Sequence, residues 1–207
     1  MQKTQAKPAT KTRIQSENQD LILKAALDVF STYGFRGSTI DQIAVKCGLS
    51  KPNLLYYFRR KDDIYAAVLE HTLTQWLAPL RMLDVGNDPI SELTRYIEVK
   101  LDMSFANPAA SKLFANEILH GASHIEKYLK GPLKELVEAK AAVIQQWIID
   151  GKIRAVDPTH FIFAIWAVTQ HYADFSVQVE TLLKPSEKPA TIKAAVVEIL
   201  LRGLKVT

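Results

Sequence analysis

Apolar residues recur along this chain of 207 residues at spacings of three and four, which is the period of an amphipathic helix. Leu23, Leu27 and Phe30 form the first such stripe. Their helix is predicted to begin near Ser16 and to end at Gly34. No convincing pair of strands is found in the sequence. The pattern therefore predicts an all-α protein with about nine helices.

Polar side chains placed before prolines mark several later helices. Asp88-Pro89, Asn107-Pro108 and Asp157-Pro158 each combine a capping side chain with a proline at the first helical position. They predict helix starts near residues 89, 108 and 158. The last of these helices carries an apolar stripe that is expected to run on without a break to Val179.

Three further long helices are predicted from the same periodicity. The first runs from about Asp62 to Leu83, with acidic residues in its first turn. The second runs from about residue 124 to residue 150, with a local irregularity at Gly131-Pro132. The third is predicted from about Ala190 to Leu204.

The chain is predicted to combine a small basic part with a larger helical body. Residues 1–15 are expected to form a flexible basic arm, residues 16–61 a three-helix unit, and residues 62–207 the body. Residues 1–60 contain ten Lys or Arg and four Asp or Glu, a net charge of +6, whereas the remainder carries −2. This concentration of basic residues favours a nucleic-acid partner. The alternative, a basic tail that aids solubility, accounts only for the arm.

The segment from Thr39 to Phe58 predicts two short helices joined by a tight turn, a helix-turn-helix. Thr39 and Ser50 suit the capping positions of the two helices, and Gly48 suits the left-handed backbone that ends the first. The outer face of the second helix carries side chains that can donate to phosphates and read base edges in a major groove. The alternative is an ordinary amphipathic helical hairpin. The side chains of that face are Lys51, Asn53, Leu55, Tyr56 and Tyr57.

This region resembles the DNA-binding domain of the TetR family of repressors. The family pattern has a helix ending in Gly-Phe, a Gly-x-Thr helix start, a Gly-Val/Leu-Ser turn, aromatic residues before a Phe, and a Lys that opens the next helix. The resemblance implies a TetR-like fold, in which an N-terminal helix-turn-helix domain of three helices precedes a larger helical domain for ligand binding and dimerisation. The matching residues are Gly34-Phe35, Gly37-Ser38-Thr39, Gly48-Leu49-Ser50, Tyr56-Tyr57-Phe58 and Lys61.

The resemblance also implies roles for single residues in binding double-stranded DNA. Many family members have Tyr-Tyr-His before the Phe, where this chain has Leu55-Tyr56-Tyr57, so the base contacts do not carry over as a set. The residues implied to hold phosphates are Ser38, Thr39, Lys51, Tyr56 and Lys61, and those implied to read bases are Asn53, Leu55 and Tyr57.

Two late helices carry broad apolar stripes that predict a homodimer. Such a pair of helices can pack against the same pair in a second subunit, and helix-turn-helix dimers commonly bind palindromic operators. Packing within the chain is the alternative and is expected to explain part of each stripe. The predicted interface residues are Phe161, Ile165, Val168, Phe175 and Val179 on the first helix and Ile192, Val196 and Ile199 on the second.

Polar residues amid this apolar material predict a site for a small molecule, because ligand pockets combine apolar walls with a few placed polar groups. Trp166 and Gln170 are one helical turn apart, so they can stack on a flat ring and pair with its amide edge. A buried glutamine satisfied within the fold is the alternative. The predicted ligand-binding residues are Trp76, Lys100, Glu117, Trp166, Gln170 and Tyr172.

Several segments resemble one branch of the family, the regulators of pyrimidine catabolism that sense uracil and thymine. They are Leu54 to Phe58, Trp76 to Leu80 and Ile165 to Phe175. The resemblance implies a planar nitrogenous effector, with uracil, thymine or another nucleobase as candidates, and a role as a repressor. A regulator of the same branch with an unrelated ligand is the alternative.

Other classes of function are disfavoured by the composition. The single cysteine, Cys47, excludes a disulfide framework and a thiolate metal site within one chain. No apolar run is long enough to cross a bilayer, and the basic N-terminus lacks the apolar core of a signal peptide. A cytoplasmic protein without a membrane partner, metal or cofactor is therefore expected.

A helical enzyme or an adaptor remains as the alternative from a different class. His120 and His124 are four residues apart, as a metal pair would be, but Gly121 lies between them at a predicted helix end. No phosphate loop or nucleophile elbow is found. An adaptor or membrane-surface role would use the basic N-terminus and would leave the helix-turn-helix unexplained.

Overall fold

The computed structural model describes residues 9–184 and 186–206, and every regular element within them is helical. This confirms the prediction of an all-α fold. The chain divides into two compact units, Met1–His71 and Thr72–Thr207. The α-helices of the described residues are α1 (Ala9–Gly37), α2 (Ile40–Cys47), α3 (Lys51–Tyr57), α4 (Lys61–Arg81), α5 (Pro89–Ala106), α6 (Pro108–Leu119), α7 (Glu126–Tyr128), α8 (Lys134–Ile149), α9 (Pro158–Asp174), α10 (Ser176–Leu182) and α11 (Pro189–Leu201).

The first unit packs α1, α2, α3 and the beginning of α4 around a small apolar core. Ile22, Phe30, Ile43, Leu54 and Ile64 are fully buried there. Each of the four helices supplies at least one of these side chains, so the short α2 and α3 are held by burial rather than by their own length.

The first helix differs from its prediction at the N-terminal end. It begins at Ala9, so the predicted start near Ser16 is wrong, because Ser16 lies inside the helix with an exposed side chain. The helical backbone is interrupted at Gly34 (φ 69°, ψ 171°), where the sequence predicts the helix end. Within the predicted arm, residues 1–8 lie outside the described residues and residues 9–15 belong to α1.

The three predicted helix starts before prolines are confirmed. In each, the side chain at the capping position accepts a hydrogen bond from the backbone N–H three residues later, which satisfies a donor that the helix leaves free. These bonds join Asp88 to Ser91 at 2.8 Å, Asn107 to Ala110 at 3.2 Å, and Asp157 to His160 at 2.8 Å.

The second unit is built around α9, which packs against α5, α6, α8, α10 and α11. Ile97, Ile144, Trp147 and Ile165 are fully buried in its core. The Trp147 indole N–H donates to the carbonyl of Val85 at 3.1 Å, so the largest core side chain has no unsatisfied polar group.

Two of the predicted long helices are interrupted. Gly131-Pro132 lies in a π-helical turn, Leu129–Leu133, between α7 and α8, which confirms the predicted irregularity. The expectation of an unbroken stripe from Pro158 to Val179 is wrong, because the backbone leaves the helical conformation at Phe175 (φ −110°, ψ 33°).

Candidate DNA-binding surface and ligand site

Hydrogen bonds close to each end fix the two short helices of the helix-turn-helix. The Thr39 hydroxyl accepts from the Gln42 N–H at 3.2 Å, and the Gln42 side-chain oxygen accepts from the Thr39 N–H at 2.8 Å. Gly48 ends α2 with a φ of 70°, a conformation that disfavours any side chain. The Ser50 hydroxyl accepts from the Asn53 N–H at 3.4 Å at the start of α3. The predicted caps are therefore confirmed.

One face of α3 is anchored and the opposite face is open. Leu54 is fully buried and fixes the helix to the core. The open face offers an ammonium, an amide and phenol hydroxyls, which suit phosphate oxygens and base edges. Lys51, Asn53 and Tyr56 are exposed, and Leu55 and Tyr57 are half-buried.

Three side chains of this face have partners from other helices, one of them Tyr56, whose hydroxyl accepts from the Gln15 side-chain amide of α1 at 3.5 Å. The Tyr57 hydroxyl accepts from the Asn18 side-chain amide of α1 at 2.8 Å, which orients the phenol ring. The Lys51 ammonium lies 2.8 Å from an Asp41 carboxylate oxygen of α2, in an exposed ion pair. Exposed pairs contribute little stability, so a phosphate can replace Asp41 at low cost. Sequence reasoning missed Asn18, because no local pattern links residues 39 apart.

Lys61, the first residue of α4, ties that helix to the connection between α1 and α2. Its ammonium donates to the carbonyls of Phe35 at 2.7 Å and of Ser38 at 2.9 Å. It also lies 4.5 Å from the centre of the Phe35 ring. Two of its three protons are therefore used within the fold.

The side chain of Ser38 does not have the exposed position that the implied phosphate contact requires. Its side chain is buried, and its hydroxyl donates to the carbonyls of Val29 and Gly34, at 3.3 and 2.5 Å. A hydroxyl held in this way stabilises the end of α1 and does not reach solvent. The implied phosphate contact by the Ser38 side chain is therefore not supported.

In the second unit, Trp76 of α4 and Lys100 of α5 are brought together. The Lys100 ammonium lies 5.3 Å from the centre of the Trp76 ring, and the edge of the Phe114 ring meets Trp76 with centres 5.7 Å apart. Lys100 is 5% exposed. Burial lowers the pKa of Lys100 to about 8, while the negative charge of Asp174 opposes the decrease.

Trp166 and Tyr96 form a second pair across α9 and α5. The Trp166 indole N–H donates to the Tyr96 hydroxyl at 2.7 Å. Burial raises the pKa of Tyr96 well above its usual range, so the phenol is neutral. Trp166 is half-buried and keeps part of its ring accessible, and Gln170, one turn later, is also half-buried.

The other two predicted ligand residues lie in different surroundings. The Glu117 carboxylate accepts from the backbone N–H of His124 at 3.0 Å and lies 3.1 Å from its Nδ1, so it stabilises the connection after α6. The Tyr172 ring packs edge-on against Phe105, with centres 5.9 Å apart. Tyr172 also lines a groove of about 420 Å³ between α5, α9, α10 and α11.

Comparison with known proteins agrees with this geometry. The family model described as "Bacterial regulatory proteins, tetR family" matches residues 22–68, and the one described as "YcdC-like protein, C-terminal region" matches residues 69–207. The HTH-type transcriptional regulator RutR of Escherichia coli K12 is 46% identical over 172 residues, which cover 83% of this chain and 81% of RutR. The chain belongs to the TetR family of bacterial regulatory proteins. It is a DNA-binding transcriptional regulator.

Two solved structures of transcriptional regulators have a fold similar to that of this chain. The ketosteroid transcriptional regulator KstR2 of Mycobacterium tuberculosis has a TM-score of 0.68 and 18% identity, with 91% of this chain and 95% of KstR2 covered. A TetR-like transcriptional regulator from Rhodococcus sp. RHA1 has a TM-score of 0.66 and 22% identity, with 90% and 94% covered. At these identities the likeness concerns the fold alone.

The predicted dimer stripes of this TetR-family protein divide into inner and outer residues. Half of them are buried in the core of the second unit. Packing within the chain is the alternative to a dimer interface, and it is expected for part of each stripe. The outer residues of α11 and of the α9–α10 junction remain open in the single chain. Phe161, Ile165, Ile192 and Val196 are buried, Val168 and Val179 are half-buried, and Phe175 and Ile199 are exposed.

The chain is not an enzyme, as expected, because the family model over residues 22–68 and the relative RutR are those of transcriptional regulators. Within residues 9–184 and 186–206, no helix has the length and apolar character needed to cross a bilayer. The same residues bring together no three His, Cys, Asp or Glu side chains as a metal site.

Proposed function

We propose that this protein is a repressor that binds a palindromic operator as a homodimer and releases it when a small planar effector, such as uracil, thymine or another nucleobase, is bound. The observation that carries the proposal is the outer face of α3, where Lys51, Asn53 and Tyr56 are exposed on a helix anchored by Leu54. As a protein that acts on bacterial DNA, it works in the cytoplasm.

The DNA contacts divide by chemistry. Asn53, Leu55 and Tyr57 read bases, because an amide can pair with adenine and an apolar group can touch a thymine methyl. Phosphates are held by hydrogen-bond donors at the starts of α2 and α4 and on α3. Each phosphate contact releases a counterion, so DNA binding weakens steeply as the salt concentration rises. The proposed phosphate ligands are Thr39, Lys51, Tyr56 and Lys61.

The dimer forms through the outer sides of α9 and α11 together with Phe175. Ile199 is 73% exposed and Phe175 is 56% exposed, so both are available to be covered by a second subunit. Two copies related by a two-fold axis bury the same residues in each subunit and set the spacing of the two α3 helices.

The effector site lies in the second unit, around Trp76, Lys100, Trp166 and Gln170. The aromatic rings of Trp76 and Trp166 suit a flat ligand, and the half-buried Gln170 amide can both donate and accept. The resemblance to regulators that sense uracil and thymine makes nucleobases the first candidates. An unrelated ligand of the same branch is the second candidate.

Release of DNA follows if the effector binds one state of the dimer more tightly than the other. α4 is the natural connection, because Lys61 at its start holds the helix-turn-helix and Trp76 in its later half borders the proposed site. A tenfold loss of DNA affinity needs only about 1.4 kcal/mol of differential effector binding.

In vitro selection from random DNA duplexes tests the DNA-binding part of the proposal. We expect enriched sequences to carry an inverted repeat with half-sites about one helical turn apart, or a multiple of it. Asn53→Ala should change the preferred base at one position of each half-site, at a cost of about 1–3 kcal/mol. Asn87→Ala, which alters an exposed loop of the second unit, is the matched control and should select the wild-type sequence.

Two results would overturn this proposal. Enriched sequences without two-fold symmetry would reject the palindromic dimer. An unchanged sequence preference in Asn53→Ala would show that Asn53 does not read a base.

A further inference from the structure

Lys100 is a buried cation for which the described residues provide no acceptor. It is 5% exposed and lies on the face of α5 that also carries Tyr96 and Ser104, one turn before and one turn after it. No hydrogen bond or ion pair joins its ammonium to another of the described residues. Buried lysines are rare without a partner, because desolvating an ammonium is costly.

The position of the ammonium can be deduced from the polar atoms around it. Among the described residues, every fully enclosed side-chain nitrogen or oxygen has a hydrogen-bond partner. The Lys100 nitrogen has none, so it is not fully enclosed and keeps a small open surface. Ser104, on the same face of α5, lines the groove of about 420 Å³, which brings open space to this side of the helix.

The charge of Lys100 is present at neutral pH. Its pKa of about 8 keeps most molecules protonated there, and the negative charge of Asp174 supports the charged form. Asp174 does not form an ion pair with Lys100; one of its carboxylate oxygens accepts from the Ser111 hydroxyl at 2.5 Å. The ammonium is therefore charged, largely desolvated and without an acceptor, and a bound oxygen would relieve that cost.

Trp76 determines which shape of ligand can supply this oxygen. The ammonium lies over the face of the Trp76 ring, with 5.3 Å between the nitrogen and the ring centre. A flat ring stacked on the same face meets the ammonium with its edge. An oxygen on that edge completes a charge-assisted hydrogen bond.

We propose that Lys100 selects the effector by an electron-rich oxygen on the edge of a flat ring, either a ring carbonyl or a carboxylate. This inference rests on the proposed function, which assigns a small effector to the second unit. A ring of the same size without such an oxygen offers the ammonium only a weaker acceptor, such as a ring nitrogen, or none, so it binds more weakly.

Calorimetric titration of the full chain with three probes tests the selection. Uracil offers ring carbonyls, benzoate offers a carboxylate on a ring, and pyrimidine offers neither. We expect wild type to bind uracil at least about tenfold more tightly than pyrimidine, since a hydrogen bond to a charged group contributes about 1.5–3 kcal/mol.

The second part of the experiment removes the positive charge of Lys100. Lys100→Met keeps the length of the side chain and should weaken uracil binding by at least about tenfold. The free variant should melt at the same temperature as wild type or higher, because an unpaired buried charge has been replaced by an apolar group. Lys112→Met is the control; it removes an exposed lysine of α6 whose ammonium donates to Ser176, and should bind uracil as wild type does.

A measurement on the unaltered protein covers the case in which Lys100→Met does not fold. With isotope-labelled lysine, the NMR titration midpoint of Lys100 should rise when uracil is added, because an acceptor oxygen stabilises the ammonium. A midpoint that does not move would overturn the proposal.

The outcomes separate this inference from the proposed function. Equal binding of pyrimidine and uracil, or undiminished uracil binding by a folded Lys100→Met, would overturn the role of Lys100. Binding of benzoate but not uracil would support Lys100 and reject the nucleobase effector. If none of the three probes binds wild type, the selection by Lys100 and the nucleobase effector are both rejected, while the DNA-binding part of the proposed function is tested separately by the selection from random duplexes.

Discussion

The ammonium of Lys61 joins the start of α4 to the end of α1 through two backbone carbonyls, those of Phe35 and Ser38. A lysine placed in this way affects DNA binding by two routes. It positions the helix-turn-helix, and its third proton can hold a phosphate. Both routes are independent of base sequence, so they must be separated by salt dependence.

Lys61→Met is expected to weaken binding to all duplexes about equally and to lower stability by about 1–3 kcal/mol, because two carbonyls lose a charged donor. Fluorescence anisotropy across a range of salt concentrations gives the slope of log K against log[salt]. If Lys61 holds a phosphate, the slope should decrease in magnitude by about 0.9. An unchanged slope would contradict the phosphate contact and leave only the positioning role. Lys193→Met, in the second unit, controls for loss of one positive charge.

Residues of the candidate sites differ in how far the sequence reveals them. Thr39, Gly48 and Ser50 follow from local capping rules, which operate over three or four residues. The pairing of Asn18 with Tyr57 depends on how α1 packs against α3, which no local pattern encodes. The burial of Ser38 was missed for the same reason, since one of its acceptors is the Val29 carbonyl nine residues earlier.

Helix starts that combine a capping side chain with a proline are well determined by sequence, whereas the start of α1 and the break at Phe175 are not. A side chain such as Asp157, placed before a proline, both accepts from the first turn and fixes the backbone, so the start of α9 is predicted from two adjacent residues. The break at Phe175 has no glycine or proline to mark it. The apolar stripe continues through it in the sequence, so periodicity alone does not reveal it.

The same break bears on the proposed dimer, because it leaves Phe175 exposed, as Ile199 is on α11, while Val196 of α11 is buried. A charge at Ile199, an outer residue, should therefore disrupt the dimer without disturbing the fold. We expect Ile199→Glu to be largely monomeric in analytical ultracentrifugation and to bind the operator weakly, because one reading helix then acts alone.

Leu119→Glu is a matched control for this prediction, since Leu119 is 84% exposed at the end of α6. It should keep the wild-type assembly and affinity. A dimer that survives Ile199→Glu unchanged would place the interface elsewhere on the second unit.

The residues proposed to bind DNA come before those proposed to bind the effector in the sequence, and one helix, α4, contributes to both units. The first 60 residues carry a net charge of +6 and the rest carries −2, so the attraction for phosphates is concentrated in the first 60 residues. α4 contributes Lys61 to the first unit and Trp76 to the second. This covalent continuity is the physical basis of the proposed control of DNA binding by an effector.

The most direct test of effector control is the affinity of the protein for its selected operator, measured by fluorescence anisotropy with and without saturating uracil. We predict that uracil weakens operator binding by at least about tenfold, which corresponds to a coupling free energy of about 1.4 kcal/mol. Pyrimidine at the same concentration should leave the affinity unchanged. An operator affinity that uracil does not alter, although uracil binds the protein, would contradict the account.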